Sequence, residues 1–342
     1  MSSGAGPLDG AGVTYGIDIG GTKVLGVALG PVDEIVAEVR VPTPTGTREI
    51  VGSHVADAVA QVVSELDGAL DGGRSPDKEP DAAPAALGVG APGMVDRHGR
   101  LCFAPNLPQA HGVDWTALIG DRLPGRAIVI ENDANFAALA EHHLGAARGH
   151  DHVVMVTLGT GIGGGLVVDG RVQVGAAGFA GEIGHMVVDP NGPPCPCGRR
   201  GCWERFASGA GLGVLAREAA LAGRLGEVVR LAGGDPESVR GEDVSAAAAT
   251  GDPEARRVIE DVGWWIGFGL ANLAAVLDPD CFVLGGGVVQ AGGLLIDAAR
   301  ATFGELVEGG DRRPPVRIEP ATFGERSGAV GAALAARLGG LW

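Results

Sequence analysis

At 342 residues, 45% of them hydrophobic and 20% charged, the chain is too long for one small core and long enough for two α/β domains. A formal charge of −16 disfavours nucleic acid and anionic membranes as partners, yet leaves phosphate open to a site built from backbone N–H groups. No apolar run approaches a membrane span and Met1–Gly12 lacks a signal-peptide core, so a cytoplasmic protein with no membrane partner is expected.

In chain order, Met1–Gly12 reads as a flexible tail, followed by strands over Tyr15–Ile19 and Lys23–Leu29 with Gly20–Gly21–Thr22 turning between them. Ile50, Val55, Val59, Val62, Val63 and Leu66 recur at helical spacing and predict a helix over Glu49–Leu66. The Gly-, Asp- and Pro-rich stretch Asp67–Pro84 predicts a surface loop. Ala86–Gly90 and Ala127–Ile130 are continuous apolar runs, the pattern of strands buried on both faces, and the second feeds a helix over Ala134–Leu144. Strands over Val153–Leu158 and Gly165–Val168 flank another glycine turn. Asp252 and Pro253 form an N-cap and first-turn pair that opens a long helix ending before Pro279. A strand over Cys281–Leu284, a turn over Gly285–Gly287, a helix over Gly292–Phe303 and a last helix over Gly328–Leu338 complete the reading.

The 61 glycines are roughly 18% of the chain against a usual ~7%, which predicts backbone turns that approach a ligand closely. Gly16–Leu29, containing DIGGTK, and Thr157–Gly170, containing LGTGIGGG, are both strand, Gly/Thr turn, strand. No helix follows either turn, so turn amides rather than a helix dipole would approach phosphates. Asp18 would repel phosphate itself but could carry a magnesium ion through water, and Thr22 and Thr160 offer hydroxyl donors. Either turn alone is also an ordinary hairpin; the pair, with Gly285–Gly287 as a third glycine turn, favours nucleotide binding.

Ile128-Val129-Ile130-Glu131-Asn132-Asp133-Ala134-Asn135 sets polar groups where a buried strand meets a helix, the place where α/β sheets collect ligands. Asp133 could accept the proton of an attacking hydroxyl while Asn132 holds a neighbouring one; equally, Asp133 could simply cap the helix.

Five cysteines are an odd number, and Cys195, Cys197 and Cys202 crowd together, which predicts metal rather than disulfides and a reducing compartment. With His185 they form a Cys₃His set suited to tetrahedral zinc, all four positions filled by protein; such a closed site is structural and argues against a zinc hydrolase. Zinc on one ring nitrogen of His185 leaves the other as a fixed donor, and Glu182 and Glu204 beside the ligands suit polyol recognition. The alternative is three reduced core cysteines and an unrelated histidine. Cys102 and Cys281 are expected to be buried small hydrophobes.

DIGGTK, GVGAPGMVD (Gly88–Asp96), ENDAN, LGTGIGGG, GEIGH, CPCGRRGCWE and LGGG, in that order across Val13–Ala335, resemble the ROK family of repressors, open reading frames and kinases, and within it the glucokinases. The resemblance implies a two-domain α/β fold of the actin-like/hexokinase ATPase type, ribonuclease H-like, with an interdomain cleft. It implies a small domain over 13–131 plus 325–342 and a large domain with the zinc loop over 132–324. It further implies ATP-dependent phosphorylation of glucose at the 6-hydroxyl, with Mg2+ and a structural Zn2+, in a homodimer or homotetramer. Asp133 would be the catalytic base, and Gly93, Asn106, Asn132, Glu182, His185 and Glu204 sugar contacts. Gly20, Gly21, Thr22, Lys23, Thr160, Gly161, Gly285 and Gly286, with Asp18, would lie where ATP is held. Fructose, mannose and N-acetylmannosamine kinases share these motifs, and polyphosphate is an alternative donor. A sugar-sensing repressor would need a DNA-binding segment ahead of Tyr15, and a chaperone-like or filament-forming ATPase would leave the zinc-braced carboxylates unexplained.

Overall fold

The computed structural model describes residues 12–71, 85–104 and 108–341. Asn106, nearly all of the tail 1–12 and most of the loop 67–84 therefore lie outside the described residues. In chain order the elements are β1 (Thr14–Ile19), β2 (Lys23–Leu29), β3 (Ile35–Pro42), α1 (Arg48–Asp71), β4 (Leu87–Ala91), β5 (Met94–Val95), β6 (Leu101–Phe103), α2 (Trp115–Arg122), β7 (Ile128–Asn132) and α3 (Asp133–His143). There follow β8 (Val153–Leu158), β9 (Ile162–Val168), β10 (Arg171–Val172), α4 (Glu204–Ala207), α5 (Gly209–Leu221), α6 (Gly226–Leu231), α7 (Gly241–Ala249) and α8 (Pro253–Leu277). The chain ends with β11 (Cys281–Gly285), α9 (Gly293–Leu306), β12 (Arg317–Pro320) and α10 (Ser327–Leu338).

Two compact units result. Unit 1 holds the described residues up to Asp151, Gly165–Gly181 and Glu325 onward; unit 2 holds His152–Gly164 and Glu182–Gly324. The first sheet runs β3-β2-β1-β4-β7 and the second β10-β9-β8-β11-β12. Counted by chain order within each sheet, both have the same strand sequence, third-second-first-fourth-fifth. This duplicated α/β plan is the one expected of the actin-like ATPase fold.

In unit 1, β1 pairs antiparallel with β2 and parallel with β4, which pairs parallel with β7. The register sets Asp18 opposite Gly90, and Gly90 opposite Glu131, so the carboxyl ends of three parallel strands coincide. Ile17, Ile19, Leu87 and Val89 bury fully against Val55, Val59, Val62 and Leu66 of α1. Each such side chain contributes roughly 1.5–3 kcal/mol, which is why this stripe, and not helix propensity, fixes α1 to the sheet. Ile50, placed on the same stripe by its spacing, is exposed. α1 also runs past the predicted end into the predicted loop. There Asp67 accepts a hydrogen bond from the Tyr15 hydroxyl at 2.8 Å and from Arg126 at 2.6 Å.

α10 packs on β1, β4 and α3 through backbone-to-backbone approach. A Cβ on Gly88 would sit 1.9 Å from the Ala332 carbonyl oxygen, and one on Gly331 would sit 1.7 Å from that of Phe136. Glycine inside a helix costs up to about 1 kcal/mol, less than the packing that this approach allows.

In unit 2, β8 and β12 flank β11 in parallel, with Gly285 opposite Thr157. α8 opens as predicted: the Asp252 carboxylate accepts the Ala255 N–H at 2.8 Å and Pro253 occupies the first turn. It ends at Leu277 on Asp278, whose left-handed φ of 46° stops the helix. Cys281 is buried as expected, but Cys102 is exposed. It lies between Leu101 and Phe103 on the short β5–β6 ribbon, where strand alternation turns Leu101 inward and Cys102 outward. Among the described residues no helix is long and apolar enough to cross a membrane.

Candidate active site

In unit 1 the turn after β1 closes as a tight hairpin, the Gly20 N–H donating to the Lys23 carbonyl at 2.9 Å. Thr43, just past β3, straps this turn: its hydroxyl donates to the Gly20 carbonyl at 2.6 Å and its N–H to that of Thr22 at 3.0 Å. Gly21 and Thr22 have open space around them. Lys23 is paired with Glu325, which also takes Arg40 at 2.5 Å. Neither Thr43 nor Glu325 carries a motif that would have marked it.

Asp18, the residue before the end of β1, has its Oδ1 buried and without a hydrogen-bond partner among the described residues. Desolvation, reinforced by Asp133 and opposed by Lys23, pushes its carboxyl up to about 8. Asp133 begins α3 and is raised to about 6, chiefly by desolvation, against the pull of the Ala134 N–H that its Oδ1 accepts at 2.8 Å. The helix cap itself is Asn132, whose Oδ1 accepts the Ala134 and Asn135 N–H groups at 2.9 and 3.1 Å. The Asn132 amide donates to the Gly93 carbonyl at 2.9 Å, joining two of the sugar-contact candidates. Gly93 has φ +93°, and a Cβ there would meet the Phe103 carbonyl at 2.4 Å. Glu131, given no role by its motif, is buried and accepts the Asn132 N–H at 2.7 Å and the Asn135 amide at 3.3 Å. It fixes the Asn132 cap.

In unit 2 the segment Ile183–His185 forms one tight turn beneath the cysteine loop. Cys202 pairs with Val187, and the Trp203 N–H donates to the Met186 carbonyl at 2.8 Å, so the loop folds back on the histidine. One ligand atom from each of His185, Cys195, Cys197 and Cys202 lies within 4.8 Å of the others. The His185 Nδ1–Cys195 Sγ separation is 3.8 Å and the Cys197–Cys202 sulfur separation 3.6 Å. Zn–S bonds of ~2.3 Å set tetrahedral edges of about 3.8 Å, so the set is sized for zinc. Burial and the Glu204 carboxylate hold the Cys195 thiol well above its ordinary value, and the thiol donates to Glu204 at 3.0 Å. The imidazole faces two carboxylates: Nδ1 is 3.7 Å from Glu204 and Nε2 3.9 Å from Glu182. Trp203 is fully buried and its indole donates to the Trp265 carbonyl at 2.7 Å, pinning the loop to α8.

At the carboxyl ends of β8 and β11, Thr160 is exposed on a turn closed by the Gly159 N–H to Gly161 carbonyl bond of 3.0 Å. Gly286, with φ +87°, lies where a Cβ would be 2.5 Å from the Leu158 carbonyl oxygen. The second hairpin and the Gly285–Gly286 turn thus share one end of the sheet.

The ROK family model matches residues 14–338. The glucokinase of Streptomyces coelicolor is 38% identical over 336 residues, 95% of this chain and 98% of the relative. A crystal structure of a ROK family glucokinase from Streptomyces griseus, in complex with glucose and AMPPNP, is similar with a TM-score of 0.84 at 36% identity, covering 95% of this chain and 99% of that one. The ROK hexokinase from Thermus thermophilus is similar with a TM-score of 0.72 at 34% identity, covering 94% and 97%. With the motifs, the duplicated sheets and these likenesses in agreement along its length, the chain belongs to the ROK family.

Proposed function

We propose that the protein is a glucokinase, transferring the terminal phosphoryl group of ATP to the 6-hydroxyl of glucose. The observation that carries this reading is Asp133: it follows a parallel strand directly, Asn132 does its capping, and desolvation sets its carboxyl near 6. A carboxylate raised toward neutrality, with the capping of α3 done by its neighbour and only the Ala134 N–H on its Oδ1, suits a general base. Asp133 accepts the hydroxyl proton, and because the transition state of phosphoryl transfer is loose, it orients the oxygen as much as it deprotonates it.

Glu182, Glu204 and the Nε2 of His185 take sugar hydroxyls, with Gly93, Asn106 and Asn132 as further contacts. The turns at Gly20–Lys23, Thr160–Gly161 and Gly285–Gly286 offer amides and hydroxyls to phosphate and nucleotide. The unpartnered buried oxygen of Asp18 beside Asp133 fits a magnesium ion, which would neutralise phosphate charge. His185, Cys195, Cys197 and Cys202 fit a structural zinc ion, which would supply rigidity. Likeness to glucokinases over nearly the whole chain supports glucose as the acceptor.

The test offers ATP with glucose, mannose, fructose and N-acetylmannosamine, follows ADP release with and without sugar, and repeats the assay with polyphosphate. Glucose is expected to give the highest kcat/KM and ADP release to need sugar. Asp133→Asn is expected to lose about 10²–10⁴ in kcat while glucose binding persists. Sugar-independent turnover, or sugar binding without turnover, would replace this reading with an ATPase or a sensor.

A further inference from the structure

Inside unit 2, the loop carrying Glu182, His185 and Glu204 is joined to the hairpin carrying Thr160 and Gly161 by contacts that the roles above do not use. Ser208 follows α4, one helical turn after Glu204. It is 1% exposed, and its hydroxyl donates to the Glu204 carbonyl at 2.6 Å while accepting the Gly211 N–H at 3.1 Å, which caps α5. The first two amides of α5 are spent on the hairpin: Gly209 N–H donates to the Gly159 carbonyl at 2.8 Å and Ala210 N–H to that of Thr160 at 3.3 Å. With its carbonyls held from below, the turn keeps Thr160 exposed. Gly209 lies close under the turn: a Cβ there would be 2.9 Å from the Gly159 oxygen, so a larger residue would have to push α5 or the turn aside.

A second contact closes the other side. Gly184, between Glu182 and His185, packs so tightly on β9 that a Cβ would lie 2.2 Å from the Ile162 carbonyl oxygen. At both points backbone meets backbone, with no rotamer to absorb a displacement, so loop and hairpin shift together.

We infer that Ser208 is a positioning residue that couples the hexose seat to the nucleotide hairpin, so that occupancy of either tightens the other. The inference rests on the proposed kinase reading. A hexose bridging Glu182 and Glu204 restrains the backbone of Glu204; Ser208 passes that restraint to the first turn of α5, and α5 passes it to the hairpin. Nucleotide then binds a turn already ordered, and linkage makes the effect reciprocal.

Calorimetric titration of the full-length, magnesium-supplemented protein with AMPPNP, with and without saturating glucose, reads the coupling as a ratio of two dissociation constants. The wild-type ratio is expected to be about fivefold or more, and that of Ser208→Ala within about twofold of unity. Ser208→Thr keeps the hydroxyl and restores the ratio. Gly209→Ala pushes α5 off Gly159 with the Ser208 hydroxyl intact and loses the ratio too, which covers a Ser208→Ala protein that does not fold. A role limited to capping would lower the melting temperature of Ser208→Ala and leave its ratio at the wild-type value; that result overturns the inference. A wild-type protein that phosphorylates glucose with a ratio of one overturns the coupling and leaves the kinase reading standing. Failure to phosphorylate glucose removes the kinase reading, and the coupling with it.

Discussion

Asp18 and Asp133 lie together at the carboxyl end of a sheet, and burial raises both carboxyls, to about 8 and about 6, with the charge of Asp133 raising Asp18 further. Both values lie above the unfolded carboxylate value, so between about pH 4 and pH 8 the native chain retains protons that the unfolded chain has released. Stability from this pair is therefore complete below the unfolded value and is lost as pH rises through the folded ones. Asp18→Asn removes the larger burden. The two proteins are expected to melt at similar temperatures at pH 4, while at pH 8 the variant melts higher, its stability greater by on the order of a few kcal/mol. Magnesium is expected to raise the melting temperature of the wild type at pH 8 more than that of the variant. A variant less stable than the wild type at pH 8 without magnesium would mean that the Asp18 charge is compensated within the native chain. At this scale the motif ENDAN left two roles open for Asp133, because aspartate and asparagine are both good caps. The backbone geometry gives the cap to Asn132, which leaves the base role proposed above to be tested at Asp133.

Among elements, glycine content was the least transparent signal. Read from composition it points to ligand-facing turns, and Gly20–Gly21, Gly93 and Gly286 fit that reading. Yet Gly88 and Gly331 serve helix-to-sheet and helix-to-helix approach, and Gly269 makes room for the Trp203 ring, which a Cβ would meet at 2.1 Å. A glycine inside a predicted helix reads locally as a weakness, while its reason lies on a distant partner element, as with Gly331 of α10 and Phe136 of α3. Edge strands were harder to read: β3 buries only Val41 and β12 only Ile318, and neither shows the apolar run that marks β4, β8 and β11. β7 carries such a run yet is also an edge strand, so Ile128, Val129 and Ile130 are half-buried rather than buried on both faces as the run predicted. The approach of α10 to α3 is testable with a matched pair. Gly331→Ala drives a Cβ into the Phe136 carbonyl and is expected to destabilise by about 1–3 kcal/mol or more. Gly68→Ala, in α1 with nothing within 4 Å of its Cβ, is expected to stabilise by roughly 0.5–1 kcal/mol. Equal melting temperatures for the two variants would mean that α10 can slide off α3 without loss.

For the whole molecule, the duplicated plan was legible from the two Gly/Thr hairpins, since each is local and each opens a sheet of the same strand order. The division into units was less legible, because contacts return Gly165–Gly181 to unit 1 from within a stretch otherwise given to unit 2. That division gives metal removal a specific signature. His185, Cys195, Cys197 and Cys202 all belong to unit 2, and Trp203 carries their loop onto α8, whereas the α3–α10–β1 core of unit 1 contains none of them. Zinc binding takes protons from the thiols and adds its free energy to the folding of the residues it joins. Stripping it leaves the buried Cys195 to recover its proton beside Glu204. The protein as purified is expected to contain about one zinc per chain, following from a single four-ligand set. Strong chelation is expected to accelerate amide hydrogen exchange across 182–204 and the facing turn of α8, to weaken glucose binding, and to leave protection in β1, β4 and α10 near its starting level. Because the thiols must lose protons to bind metal, less chelator should suffice at pH 6 than at pH 8. Uniform acceleration in both units would make the metal a determinant of the global fold, and no acceleration in either would remove zinc from the account of this loop.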